Sequence, residues 1–144
     1  MIHDRLTGVV VRGRGEGRQL GFPTANLQLS HGQIQPPTGI FAGLVTIAPA
    51  VPFRARPARN DPGRGPEQFK AAVHIGPAPT FHDDTYRVEI HLLDYQGGDL
   101  YNQRLTVELV KKIREIKKFA SADELTAAIA ADCAEVRTVL AATP

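Results

Sequence analysis

The strand that decides the fold reads Arg87-Val88-Glu89-Ile90-His91-Leu92-Leu93. Apolar and polar side chains alternate along it, and alternation with a period of two indicates a strand with one face toward a core. Four further runs rich in β-branched and apolar residues lie between Gly and Pro clusters, at residues 6–12, 39–47, 69–75 and 104–110. Several short strands separated by turn residues predict an antiparallel sheet or barrel.

The C-terminal end of the chain has the periodicity of a helix. Ser121 followed by Glu124 is a capping box, the pattern typical of a helix N-terminus. The apolar residues that follow share one stripe at helical spacing: Leu125, Ile129, Val136 and Leu140. Cys133 falls on the same stripe, so we predict a small buried side chain rather than a reactive thiol. The sequence therefore predicts one amphipathic helix after the strands.

Composition limits the classes of protein that this chain can be. The 144 residues are enough for a single domain spanning 1–144, with 42% hydrophobic and 22% charged residues as in ordinary globular proteins. A net charge of +2 is far from the dense positive charge of a dedicated nucleic-acid binder, although it weakly favours an anionic ligand.

One cysteine excludes an intramolecular disulfide and makes a cysteine-based metal site improbable. The chain starts without the pattern of a secretory signal, and no run reaches the length of a membrane span. We therefore expect a cytoplasmic protein.

A segment at about residues 48–67 interrupts the strand pattern. It contains five prolines and four arginines and has no apolar period. We interpret it as a mobile loop between two strands, with its arginines in solvent.

Residues 20–27 are hard to explain as scaffold. They read Leu20-Gly21-Phe22-Pro23-Thr24-Ala25-Asn26-Leu27, in which a proline, a hydroxyl and an amide stand between apolar residues. In an extended segment Thr24 and Asn26 point the same way and can converge on one metal ion or phosphate. The alternative is a turn in which the side chains of Thr24 and Asn26 hydrogen-bond to their own backbone. The residues alone favour the ligand site and the turn equally.

A glycine series precedes that motif. Gly13, Gly15 and Gly17, with the charge of Arg18, would let main-chain N–H groups surround an anion such as a nucleotide phosphate. The series matches neither the dinucleotide-binding fingerprint nor the Walker loop, so by itself it is weak.

Other polar residues admit two interpretations each. Glu89 is either a solvent-facing glutamate, the more common outcome, or a general base at the mouth of a barrel. His74, His91 and the pair Asp83-Asp84 lack the spacing of a structural zinc site. We interpret the histidines as sheet-surface residues near a site and the acidic pair as a turn.

Further motifs extend this pattern over nearly the whole chain outside the Pro/Arg-rich loop. In chain order they are residues 8–27, Ile75-Gly76 with Pro79-Thr80-Phe81, residues 88–95 with Asp99-Leu100-Tyr101, Ile113-Arg114 with Phe119, and Asp132 with Arg137. Together they resemble the riboflavin kinase family. That resemblance implies a six-stranded antiparallel Greek-key barrel with a C-terminal helix.

The resemblance also implies a reaction, the ATP-dependent phosphorylation of riboflavin at the ribityl 5'-hydroxyl to give FMN and ADP. It implies that Glu89 is the catalytic base and that Thr24 and Asn26 hold Mg²⁺. The ATP-binding residues would be Gly13, Gly15, Gly17, Arg18, Pro23, Thr24 and Asn26. Arg114 and Phe119 would bind the flavin.

The expected partners are riboflavin or FMN and ATP or ADP, with no nucleic acid, no membrane and a monomeric chain. FAD synthesis is not expected of these residues. The alternative is a barrel without catalysis that binds flavin or nucleotide as a sensor or carrier.

Three residues depart from the family pattern. Asn102 stands where a glycine is usual, and a positive φ is accessible to asparagine. Ile116 stands where a glutamate is usual two residues after Arg114, and His74 replaces a common asparagine.

Overall fold

The computed structural model describes residues 5–11, 24–30, 36–47, 67–78, 83–95 and 100–141. These ranges form six strands followed by one helix. The elements are β1 (Arg5–Val11), β2 (Thr24–Leu29), β3 (Gly39–Ile47), β4 (Glu67–Ala78), β5 (Asp83–Leu92), β6 (Arg104–Arg114) and α1 (Ala122–Ala141).

The strands close into a barrel in the order β1-β2-β5-β4-β3-β6, and β6 pairs back to β1. Every pairing is antiparallel. Strands β3, β4 and β5 follow one another as neighbours, and β6 returns to lie beside β3, which is the Greek-key arrangement. The six-stranded antiparallel barrel with a C-terminal helix is therefore confirmed.

The barrel interior is apolar. The alternating faces predicted for three of the strands all point inward, and their residues are buried: Ala71, Val73, Ile75, Val88, Ile90, Leu92, Leu105, Val107 and Leu109. Phe41 fills the interior from β3 with no exposed surface. Since this core occupies the inside of the barrel, polar groups on these strands are directed to its outer surface.

Strand β2 is the element that the strand pattern alone did not identify. Ala25 and Leu27 are buried in the core, while Thr24 and Asn26, which alternate with them, face outward. Two buried residues separated by one position are a short strand signal, and the adjacent Pro23 and Gly21 obscured it.

The ends of two strands differ from the expectation. β5 begins at Asp83, which pairs with Ala78, so the prediction of a turn at Asp83-Asp84 is wrong. β4 begins at Glu67, so the predicted loop ends one residue earlier than expected. Residues 48–66 of that loop lie outside the described residues.

Helix α1 packs on the outside of the barrel. Val136 and Leu140 contact a small outer cluster that contains Ala42, Ala72 and Leu93. The alanines let the helix approach the sheet closely, because a larger side chain would hold it away. Half-buried Cys133 packs against the same cluster, and burial, followed by the charge of Asp132, raises the pKa of its thiol.

The N-terminus of α1 is capped largely as its sequence predicts. The Ser121 hydroxyl accepts a hydrogen bond from the Glu124 N–H at 3.2 Å. The Glu124 carboxylate accepts one from the Ala120 N–H at 3.2 Å, one residue before the expected partner. Among the described residues, no helix is both long and apolar enough to span a membrane.

Candidate active site on the outer face of the barrel

The register between β2 and β5 brings the predicted site residues together. Asn26 lies directly opposite Glu89, and Thr24 lies opposite His91. Side chains of directly opposed residues share one face of a sheet, with Cβ atoms roughly 4.5–5.5 Å apart. Ala25 and Ile90, the pair between them, face the core, so all four polar side chains face outward. Glu89 therefore lies on the outer face of the barrel, close to the end at which β1 and β6 stop and β2 and β3 begin.

The same row continues across the remaining strands. Glu89 pairs with His74 on β4, His74 with Ile40 on β3, and Ile40 with Arg114 on β6. One transverse row on the outer surface thus joins Asn26 to Arg114. Residues far apart in sequence, with candidate phosphate and flavin roles, lie along one line.

His91 is buried at one end of this surface. Its side chain is 7% exposed, and Thr24 Oγ1 lies 3.1 Å from His91 Nδ1, within hydrogen-bond distance. Burial, followed by the nearby charge of His74, lowers the pKa of His91 to about 4. The imidazole is therefore neutral at pH 7. His91 was expected to be a sheet-surface residue near a site, and it does lie on the outer face of the sheet opposite Thr24, although it is buried there.

Asn26 has an unusual side chain. Its Oδ1 atom is buried and has no hydrogen-bond partner among the described residues. A buried amide oxygen without a partner is costly unless a ligand satisfies it. Amide and hydroxyl oxygens are hard ligands of the kind that Mg²⁺ takes together with substrate phosphates.

The described residues contain no group of three or more His, Cys, Asp or Glu placed to hold a metal ion. The protein oxygens available at this position are those of Thr24 and Asn26. The residues present fit Mg²⁺ in chemical type.

Arg114 is held in place by the helix. Its Nε and Nη2 atoms donate to the two carboxylate oxygens of Asp132, each at 2.8 Å. The Arg114 Cζ atom lies 5.5 Å from the centre of the Phe119 ring, within cation–π range. The two residues predicted to bind flavin therefore lie within cation–π range of each other. Asp132, a polar residue on the apolar stripe of α1, orients the guanidinium of Arg114.

Two of the departures from the family pattern have a structural explanation. Asn102 has a φ of 69°, the left-handed conformation that asparagine tolerates. Ile116 covers Gly76, where a Cβ atom would lie 2.6 Å from Ile116 Cδ1 and where φ is +129°.

His74 makes a contact that an asparagine in its place would have to reproduce. Its Nε2 atom donates to the Pro77 carbonyl at 2.7 Å. The ring is half-buried and tied to the end of β4.

Several predicted residues lie outside the described residues: Gly13, Gly15, Gly17, Arg18 and Pro23. The strands on either side of them are described. Val11, the last residue of β1, pairs with Asn26 of β2. The chain positions of the glycine series thus connect two neighbouring strands, one of which carries the Thr24 and Asn26 pair.

Comparison with known proteins shows the family. The profile for flavokinase, described as riboflavin kinase, matches residues 3–140, so the chain belongs to the riboflavin kinase family. It is 38% identical over 138 residues to the bifunctional riboflavin kinase/FMN adenylyltransferase of Pseudomonas fluorescens, covering 95% of this chain and 38% of that protein. The resemblance predicted from the motifs is confirmed.

Two further proteins are similar. An RNA-binding riboflavin kinase of Bacillus subtilis is 32% identical over 130 residues, which cover 88% of this chain and 47% of that protein. The crystal structure of riboflavin kinase from Trypanosoma brucei superposes with a TM-score of 0.64 at 26% identity, covering 96% of this chain and 78% of the other. The chain thus spans less than half the length of both curated relatives.

We predict that Asp132→Asn destabilises the protein more than Asp94→Asn does. Asp132 and Arg114 have side chains only 8% and 27% exposed, and removing the carboxylate leaves a largely buried guanidinium without its counter-charge. We expect a loss of about 2–3 kcal/mol in the free energy of unfolding, measured with urea at pH 7.

Asp94→Asn is the matched control, because Asp94 also makes a two-bond pair with an arginine of α1, Arg137, and asparagine tolerates the φ of 62° at this position. That pair is exposed, at 71% and 51% of the two side chains, so its loss should change stability much less. Equal losses in the two variants would contradict the assigned role of Asp132.

We also predict that His91 makes the fold sensitive to acid. Its pKa of about 4 in the folded protein is below the ordinary value of 6.5, so protonation favours the unfolded chain. This stabilisation is complete above pH 6.5 and is lost as the pH falls toward 4, with a total on the order of 3 kcal/mol. The measurement is the free energy of unfolding of wild type and His91→Asn between pH 4.5 and 8. The two curves should converge on acidification, and parallel curves would refute the prediction.

Proposed function

We propose that this protein transfers the γ-phosphoryl group of ATP to the ribityl 5'-hydroxyl of riboflavin, giving FMN and ADP. The observation that carries the proposal is the direct cross-strand pairing of Asn26 and Glu89 in a chain of the riboflavin kinase family. A carboxylate beside a buried, unpaired amide oxygen provides a base next to a candidate metal and phosphate position.

Glu89 is assigned as the general base. Its carboxylate accepts the proton of the 5'-hydroxyl while that oxygen bonds to the γ-phosphorus. The bond from the γ-phosphorus to the bridging oxygen breaks, and ADP leaves with the electron pair. Because Glu89 is on a paired strand of a closed barrel, the base is held rigidly, which suits a reaction that depends mainly on alignment.

Charge neutralisation completes the arrangement. Thr24 and Asn26 would hold Mg²⁺, which, when bound, neutralises the negative charge on the transferring oxygens. The sequence motif is the basis for assigning ATP binding to Gly13, Gly15, Gly17, Arg18 and Pro23.

The flavin would bind toward the other end of the outer row. Arg114 and Phe119 are in contact there, and their charged and aromatic surfaces can lie against a planar heteroaromatic ring. Asp132 supports this assignment because it fixes the guanidinium plane with two hydrogen bonds.

The test of the proposal is incubation of the purified protein with riboflavin, ATP and Mg²⁺, followed by chromatographic detection of FMN. FMN formation that requires all three components supports the kinase. Riboflavin or ATP binding without turnover would instead support the sensor or carrier. Since one relative is named RNA-binding, the expectation of no nucleic-acid partner stays a prediction, checked by RNA titration at several salt concentrations.

We predict that Glu89→Gln lowers kcat by about 100-fold or more, the usual scale for loss of a positioned base. The change is isosteric and removes only the ability to accept the proton, so riboflavin binding should persist. The matched control is Glu108→Gln on the outer face of β6, opposite Arg5 and away from the outer row, which should retain wild-type kcat. Near-normal turnover by Glu89→Gln would exclude Glu89 as the base.

A further inference from the structure

His91 lies beside the proposed metal ligands and has no role in the mechanism described above. It lies on β5 between two neighbouring strands, with Thr24 of β2 and Ala72 of β4 as its cross-strand partners. Ala72 is 1% exposed beneath α1, and His91 itself is 7% exposed. Burial of this degree restricts the ring, and its Nδ1 atom faces Thr24.

The Thr24 hydroxyl meets that nitrogen at 3.1 Å. A neutral imidazole has one N–H and one acceptor nitrogen, so this bond can run in either direction. If Nδ1 donated, it would occupy a lone pair of the Thr24 oxygen. If the hydroxyl donates to Nδ1, its proton points at the ring and the oxygen lone pairs point away from it. A hydroxyl ligates a cation through its lone pairs, so the second arrangement, in which the ring takes neither lone pair, suits a metal at Thr24 and Asn26 better than the first, in which the ring takes one.

We propose that His91 is a positioning residue, whose Nδ1 accepts the Thr24 hydroxyl proton and thereby directs the Thr24 oxygen toward the cation and phosphates beside Asn26. This inference rests on the proposed function of Thr24 as a magnesium ligand. His91 itself touches neither the cation nor the reacting atoms. Its effect is to favour one orientation of the Thr24 hydroxyl before the metal binds.

The test compares three substitutions of the same ring. His91→Phe keeps the planar shape and removes both nitrogens. His91→Asn keeps a carbonyl acceptor close to the position of Nδ1, and His91→Gln places it farther out. The readouts are calorimetric dissociation constants for ADP with Mg²⁺ and for ADP with EDTA, together with the Mg²⁺ concentration that gives half-maximal FMN formation.

We expect His91→Phe and His91→Gln to weaken binding of ADP with Mg²⁺ about 10-fold, the scale found when the outer partner of a metal ligand is lost. Binding of ADP in EDTA should be unchanged, because the inference concerns only the cation. His91→Asn should restore most of the Mg²⁺-dependent affinity. A general structural defect would weaken both kinds of ADP binding and would not distinguish the three variants.

A double-mutant cycle with Thr24→Val tests the coupling directly. If His91 acts through the Thr24 hydroxyl, adding His91→Phe to Thr24→Val should produce no further loss of Mg²⁺-dependent affinity. Thr46→Val is the matched control, since Thr46 is a half-buried threonine in β3, away from Thr24 and Asn26, and it should leave that affinity unchanged.

Additive losses in the cycle would overturn the inference, and equal behaviour of His91→Asn and His91→Gln would overturn it even if His91→Phe did not fold. A different result would show that the proposed function is wrong. A wild-type protein that binds ADP with Mg²⁺ but forms no FMN would remove the kinase proposal, and the binding arm would still decide the role of His91.

Discussion

The register between β2 and β5 is the constraint on which the candidate site depends. Asn26 meets Glu89 only because Ala25 and Ile90, the pair beside them, are both buried in the core. A slip of one residue would turn the polar side chains of one strand inward and its apolar ones outward, at the cost of exposing that strand's apolar face. The hydrophobic core thus enforces the pairing of the polar residues on the opposite surface, and closure of the barrel leaves β2 no alternative partner.

Placing a site on the outer wall of a filled barrel has a structural consequence. Side chains such as Phe41 and Ile90, which have no exposed surface, fill the interior and leave that space to the core rather than to a ligand. Any substrate of the candidate site would therefore bind on the outer wall of the barrel. The helix is seated on Ala42 and Ala72, and its Asp132 reaches Arg114 at the end of β6. Packing of the helix and orientation of the guanidinium are therefore parts of one arrangement.

Much of the fold followed from local pattern. Strands β3 to β6 showed alternating or continuous apolar runs, and the capping box at Ser121 marked the start of the helix. The pattern missed β2, because its two buried residues are few and directly follow Pro23. It also misjudged Asp83, because two adjacent acidic residues are typical of turns while β4 and β5 in fact continue their pairing there.

The site was predictable in composition and not in arrangement. Residue types and spacing left the roles of Glu89, Thr24 and Asn26 open, and the resemblance to the riboflavin kinase family is what implied that they take part in phosphoryl transfer. Residue types and spacing did determine which face of each strand is apolar, since alternation is a local property of an extended chain. Only the tertiary structure decided that His91 is buried against Thr24 and that Asp132 pairs with Arg114. Burial and pairing of this kind arise between strands and helices that are distant in sequence, and no periodicity within one element contains that information.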